Sequence, residues 1–267
     1  MARLPEERRL AIMEAVRLHP VVRADELAER FGVSVETIRR DLVALERTGL
    51  TRRVYGGVMR TIPRSFEAPY EQRRSANHEQ KRAMAMAAAE LVAPDDLCIL
   101  DVGTSVAQVA VHLPASYRGR ILTNSILAAT ALADRPGVDV RTSGGRVRSG
   151  DLACYGPQAE AFFAEAFGGK AFLGSGGVHV ESGLTDFYPD EVPMRRVIID
   201  HADEVYVMAD SSKLGQVAPF KVCDLDRVTA VITDDGVAHE VAMAFADAGV
   251  RLITARVSER VAVAVEA

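Results

Sequence analysis

Ser34, Val35, Thr37, Arg39 and Arg40 fall within seven residues near the start of the chain, a combination suited to touching a polyanion. An arginine can bond phosphate oxygens or fork onto guanine O6 and N7, and serine and threonine hydroxyls donate to either. Arg52, Arg53, Tyr55 and Gly56 follow on a short β-type run from which they can reach neighbouring phosphates. Further on, glycines and hydroxyls cluster in Asp101-Val-Gly103-Thr104-Ser105, Thr123-Asn124-Ser125, Gly144-Gly145-Arg146 and Gly174-Ser-Gly-Gly. Such clusters leave backbone N–H groups free, and a helix starting there adds partial positive charge, which together suit phosphate. Lys213, three residues beyond Asp210, can supply a point charge to an anion. Taken singly, each cluster reads more readily as a turn than as a ligand contact, and Asp210 can cap the backbone that follows it.

Other chemistries lack their residues. Cys98, Cys154 and Cys223 are scattered in apolar surroundings without a Cys-x-x-Cys pair, and the six histidines are equally dispersed. Neither a disulfide framework nor a metal site is expected, and no cofactor is implied. No pair of carboxylates or nucleophile–base set has a spacing that demands catalysis, so no catalytic residue is assigned.

The 267-residue chain is 48% hydrophobic and 26% charged, the composition of an ordinary globular protein long enough for two domains. Residues 1–60 hold 12 arginines against nine acidic residues, a net of +3, while the whole chain carries −5. A basic head on an acidic body suits a polyanion-binding module joined to something else. No apolar run approaches the length of a membrane helix and no signal segment follows Met1, so a cytoplasmic location is expected.

The elements that position these residues follow from periodicity. Residues 6–18 have helical spacing, stopped by His19-Pro20. A second helix is expected from Asp25, as N-cap, to Phe31, with Gly32 taking the left-handed turn. Ser34 caps a third, in which Ile38, Leu42 and Leu45 face inward and leave Arg39 and Arg40 outward. Residues 50–60 then read as a two-stranded wing and 61–77 as a linker. An alanine-rich helix over 77–91 opens the second domain. Beyond it, apolar runs at 97–100, 120–122, 138–141, 171–173, 205–208, 230–232 and 251–253 alternate with helical segments, the rhythm of a parallel sheet with helices on its faces.

The run Val33-Ser-Val-Glu-Thr-Ile-Arg-Arg-Asp-Leu, with Leu45-Glu and Gly49-Leu, then Arg53-Val-Tyr-Gly-Gly, resembles the N-terminal signature of the DeoR family of bacterial regulators. Tyr55 stands where that family usually has histidine. The resemblance extends through Asp101-Val-Gly-Thr-Ser105, Thr123-Asn-Ser125, Gly144-Gly-Arg-Val-Arg148, Phe172-Leu-Gly-Ser-Gly-Gly177, Gly183-Leu-Thr185 and Asp210-Ser-Ser-Lys213. Ser105 replaces a second threonine, and Arg195, which the resemblance implies as an effector contact, stands where the family often has lysine. The resemblance implies an α/β architecture: a winged helix-turn-helix followed by a Rossmann-like, ribose-5-phosphate-isomerase-like parallel-sheet sensor of phosphorylated sugars or related metabolites.

The expected division is 1–60 for DNA binding, 61–77 as linker and 78–267 for effector binding and oligomerisation. The leading reading is a repressor of a carbohydrate-utilisation operon that binds double-stranded operator DNA as a homodimer or homotetramer, since paired half-sites call for paired heads. One rival is a sugar-phosphate isomerase or transferase with a DNA-binding head, using Asp101, Asp210 and Lys213 as acid–base groups. The other is a nonspecific nucleoid binder, which calls for more basic charge than +3.

Overall fold

The computed structural model describes residues 8–9, 11–13, 15, 21–46, 51–54, 57–60 and 67–257. The chain divides into two compact units, 1–66 and 67–267.

In the first unit, residues 8–9, 11–13 and 15 are helical. Strand β1 (Val21–Arg23) leads into helix α1 (Ala24–Phe31), and helix α2 (Val35–Glu46) follows. Gly32 makes the turn between the helices at φ 62°, as expected of a residue without Cβ. Asp25 is not the N-cap: it lies in the first turn of α1, where it pairs with Arg23 at 2.6 Å. The expected two-stranded wing has a third member, because β3 (Gly57–Arg60) pairs with β2 (Thr51–Val54) on one side and β1 on the other. Val21 and Val22 were too short a run to announce a strand, and pairing with distant β3 supplies what periodicity could not. Ile12, Leu27, Ile38, Leu42, Leu45 and Val58 close one apolar core. The Arg8 guanidinium, 6% exposed, bonds Asp41 at 2.6 Å beside that core.

The second unit is built on a seven-stranded parallel sheet in the order β15-β14-β12-β9-β4-β5-β6. The strands are β4 (Leu97–Leu100), β5 (Arg120–Thr123), β6 (Asp139–Thr142), β9 (Lys170–Leu173), β12 (Glu204–Met208), β14 (Ala230–Asp234) and β15 (Leu252–Ala255). All seven apolar runs in the sequence are these strands, within one or two residues at each end. Alternate residues feed opposite faces. Cys98, Leu100, Ile121, Phe172, Tyr206 and Ile232 meet helices α4 (His78–Glu90), α5 (Thr104–His112) and α6 (Ile126–Leu132). Ile99, Leu122, Ala171, Leu173, Val205, Val207 and Val231 meet α7 (Pro157–Ala164) and α8 (Val192–His201) on the other. Burial on both faces is why the inner strands β4, β5, β9, β12 and β14 read as unbroken apolar runs. Each large side chain enclosed there contributes about 1.5–3 kcal/mol.

Two smaller pieces sit outside this rhythm. A hairpin joins β7 (Arg146–Val147) to β8 (Cys154–Tyr155), and a three-stranded antiparallel sheet has the order β10 (Gly177–His179), β11 (Gly183–Asp186), β13 (Phe220–Cys223). Their strands have two to four residues, too few for a period to register. Helix α3 (Tyr70–Ser75) forms inside the stretch read as linker, before α4. Pro69 is its N-cap residue. Helix α9 (His239–Asp247) completes the unit.

Candidate functional site

In the first unit, Arg39 and Arg40 stand 67% and 81% exposed on α2, while Ile38 and Leu42 are buried. Glu36 lies 3.7 Å from Arg39 and 4.0 Å from Arg40, pairs loose enough for a phosphate to displace. Ser34 Oγ accepts from the Thr37 backbone N–H at 3.2 Å and stands 2.9 Å from its hydroxyl, so both hydroxyls already serve the helix start. Val35 is exposed beside them. Tyr55 and Gly56 lie outside the described residues, as do the side chains of Arg52 and Arg53 on β2.

In the second unit the chain runs outward from β4 in both directions: β5 and β6 lie to one side, β9, β12, β14 and β15 to the other. The strand order therefore reverses between β4 and β9, and the carboxyl ends of strands at such a reversal are the position where open α/β sheets bind ligands. Asp101, Gly103, Thr104 and Ser105 follow β4, and Gly174 follows β9, so this part of the sequence-derived set converges there. A Cβ on Gly174 would stand 2.7 Å from the Val102 carbonyl, so only glycine fits that wall. Gly103 takes φ 138° and starts α5, whose first N–H groups have no partner within the helix.

Beside this position, the Asp101 carboxylate accepts from Asn124 Nδ2 and from the Gly174 N–H, both at 3.1 Å. Thr123 Oγ1 donates to the Leu100 carbonyl at 2.5 Å and accepts from Ser125 N–H at 3.0 Å; Ser125 Oγ caps α6. These residues hold strand ends in register. Asn124 Oδ1 is buried without a hydrogen-bond partner among the described residues. Gly144 and Gly145 turn the chain out of edge strand β6 into the β7–β8 hairpin, and Arg146 stands exposed over the Tyr155 ring, away from β4 and β9. On the other flank, Asp210 lies two residues beyond the end of β12. Its carboxylate accepts from Ser212 N–H and Asn77 Nδ2, both at 3.1 Å, so it does cap the turn after it. Lys213 Nζ donates to the Gly176 carbonyl at 3.2 Å.

Arg195 is 3% exposed, and each of its guanidinium nitrogens faces a carboxylate: Nε meets Asp101 at 2.7 Å, one terminal nitrogen meets Asp186, and the other meets Glu191 at 3.1 Å. Burial disfavours its charge, but Asp101, Asp186 and Glu191 outweigh it and raise the pKa well above the ordinary value. Glu191 also stands 2.5 Å from Arg148, which bonds Asp151 and lies 3.5 Å over the Tyr188 ring. Asp186, Glu191 and Asp151 were absent from the sequence-derived set. The only local sign was Glu191 four residues before Arg195, a spacing that pairs side chains on one helix face.

Burial pushes the Glu191 carboxyl up to about 8, although Arg195 pulls it down. The folded state thus holds a proton that an unfolded glutamic acid, ordinarily near 4.5, has released. Stability from this group is present below the lower value and is lost as pH rises toward about 8. Urea unfolding between these pH values should give a falling stability that Glu191→Gln flattens; an unchanged slope in the variant would assign the proton elsewhere.

Among the described residues, no group of three or more His, Cys, Asp and Glu is placed to hold a metal ion. Among them, too, no helix is long and apolar enough to cross a membrane.

Residues 8–62 match the DeoR-like helix-turn-helix domain, and residues 76–235 match the DeoR C terminal sensor domain. The chain is 35% identical over 231 residues to the HTH-type transcriptional regulator GlpR of Haloferax volcanii, covering 86% of this chain and 90% of that one. It is 30% identical over 230 residues to the HTH-type transcriptional repressor GlcR of Bacillus subtilis, covering 86% and 88%. Among solved structures, ribose 5-phosphate isomerase A from Methanocaldococcus jannaschii aligns over 52% of this chain and 55% of its own, at 17% identity and a TM-score of 0.37. With both of its units matched and its relatives named as regulators, the chain belongs to the DeoR family of DNA-binding transcriptional regulators and is a regulator, not an enzyme.

Proposed function

We propose that this chain is a cytoplasmic repressor of a carbohydrate-utilisation operon, controlled by a phosphorylated sugar or related phosphorylated metabolite bound between β4 and β9. The observation that supports the effector reading is the reversal of strand order at β4 beside the N-terminus of α5, the place where open α/β sheets form a ligand crevice. The N–H groups of Thr104 and Ser105 supply the anion's first partners, and Lys213 adds a charge from the far flank. Asp101, Thr123, Asn124, Ser125 and Arg195 position that wall, while Gly174 keeps it open. In the head, Val35, Thr37, Arg39 and Arg40 read the major groove, with Ser34 holding the helix start. Arg52, Arg53, Tyr55 and Gly56 serve phosphates from the wing. A homodimer or homotetramer presents paired heads to paired half-sites.

The test is titration of the full chain onto DNA from upstream of its own gene cluster, at fixed salt, with scrambled DNA as control and sugar phosphates added in turn. Tight binding to the upstream DNA alone, altered by one phosphorylated sugar, is the expected result. Thr104→Ala and Lys213→Ala should leave DNA affinity intact and blunt that response. A full response in both variants would place the effector elsewhere.

A further inference from the structure

The first residues of the second unit have contacts that neither the DNA-reading face nor the anion site requires. Arg73 on α3 donates from Nε to the Ala68 carbonyl at 2.9 Å, and its terminal nitrogens lie 3.3 Å from Glu67 and 3.6 Å from Asp151. Lys81 on α4 donates to the Arg73 carbonyl and, at 2.6 Å, to the Ala76 carbonyl, holding the end of α3. Asn77 then takes φ 50° and reaches Asp210 at 3.1 Å.

These anchors lie on opposite flanks of the crevice. Asp151 belongs to the hairpin connection that meets the end of β5, where Ser125 bridges Ala153. Asp210 lies two residues beyond the end of β12. The sheet order between them is β12-β9-β4-β5, so the β4–β9 crevice lies between the two attachment points. Three strand spacings amount to roughly 14 Å, which a helical turn and a long arginine side chain can cross.

We propose that residues 67–77 form a strap across this crevice, fastened by Arg73 on Asp151 and Asn77 on Asp210, and that an anion entering the crevice releases the Glu67 end. The inference rests on the reading that the crevice takes a phosphorylated effector. Glu67 is the group that makes the strap responsive. Its side chain is 11% exposed, and Arg73 is its ion-pair partner at 3.3 Å. Burial raises its pKa; Arg73 lowers it, Asp186 raises it, and Lys213 and Arg195 lower it, so its carboxylate lies within the field of the groups flanking the crevice. A phosphate drawn to Lys213 takes over part of that attraction and adds its own repulsion to that of Asp186. Arg73 and Arg148 are positioning residues: Arg148 holds Asp151 between Glu191 and the strap. Because residue 67 directly follows the first unit, release at Glu67 alters the connection through which the DNA-reading unit is tethered.

The test is hydrogen exchange on the full-length protein with and without inorganic phosphate, read at amides 101–106 and 73–76. The expected result is slower exchange at 101–106 together with severalfold faster exchange at 73–76. Glu67→Gln should bind phosphate severalfold more tightly and lose most of the change at 73–76. Arg73→Gln should speed exchange at 73–76 without phosphate. Protection at 101–106 with no acceleration at 73–76 would overturn the strap and leave the crevice reading standing. No response at 101–106 would overturn both. Unchanged exchange at 73–76 in Arg73→Gln would show that Asp151 is not an anchor, and the strap would fall on that ground alone.

Discussion

Arg195→Ala is expected to cost the second unit most of its stability. The guanidinium neutralises a site where Asp101, Asp186 and Glu191 converge, each of them no more than 5% exposed. Removing one partner of a buried ion pair costs about 3–5 kcal/mol because the other charge is left uncompensated. Here both Asp101 and Asp186 lose the same partner, so the loss belongs at the upper end. For a domain of this size that corresponds to a fall in Tm of roughly 6–20 °C. Arg195→Lys should lie between wild type and alanine: the charge stays, but an ammonium cannot present a planar fork to carboxylates on three sides. The deficit of the alanine variant should shrink as pH is lowered and the stranded carboxylates take up protons. Urea unfolding of the three proteins checks all of this, and a loss below about 1 kcal/mol in Arg195→Ala would mean that water reaches the cluster and screens it.

The second large effect is expected in the head. Arg39→Ala and Arg40→Ala should each weaken binding to the operator by about 1–3 kcal/mol if the side chain reads a base, and the double variant by more. A side chain that only meets phosphate behaves differently: its loss weakens specific and scrambled DNA alike and reduces the salt dependence by about one ion. Measuring both DNAs at several salt concentrations separates the two roles. Because both arginines are exposed and their pairs with Glu36 are loose, thermal stability should not move. Undiminished operator affinity in the double variant would remove α2 from the DNA interface.

The two units differ in how much of each could be read along the chain. Helix α2 was legible because Ile38, Leu42 and Leu45 return to one face every three or four residues while Ser34 marks the start. The inner strands β4, β5, β9, β12 and β14 were legible because burial on both faces demands continuous apolar runs. Short elements were not: β1 exists because β3 pairs with it, and α3 because Arg73 is held by groups outside its own helix. The hydroxyl clusters marked the carboxyl edge of the sheet correctly but did not distinguish a ligand contact from a strand-end fastener. Thr123 and Ser125 spend their hydroxyls on the backbone, and Arg195, read as a ligand contact, has a carboxylate at every guanidinium nitrogen.

Local periodicity and residue type were thus sufficient to establish the helix-turn-helix, the parallel sheet and the chemistry available at its edge, since each depends on neighbours within a few positions. Which groups share a charge was decided by the tertiary structure alone. Arg195 meets Asp101 across 94 residues, and Asn77 meets Asp210 across 133. No local pattern encodes such a pair, because its energy depends on desolvation and distance, and both are set only when the strands have taken their order in the sheet.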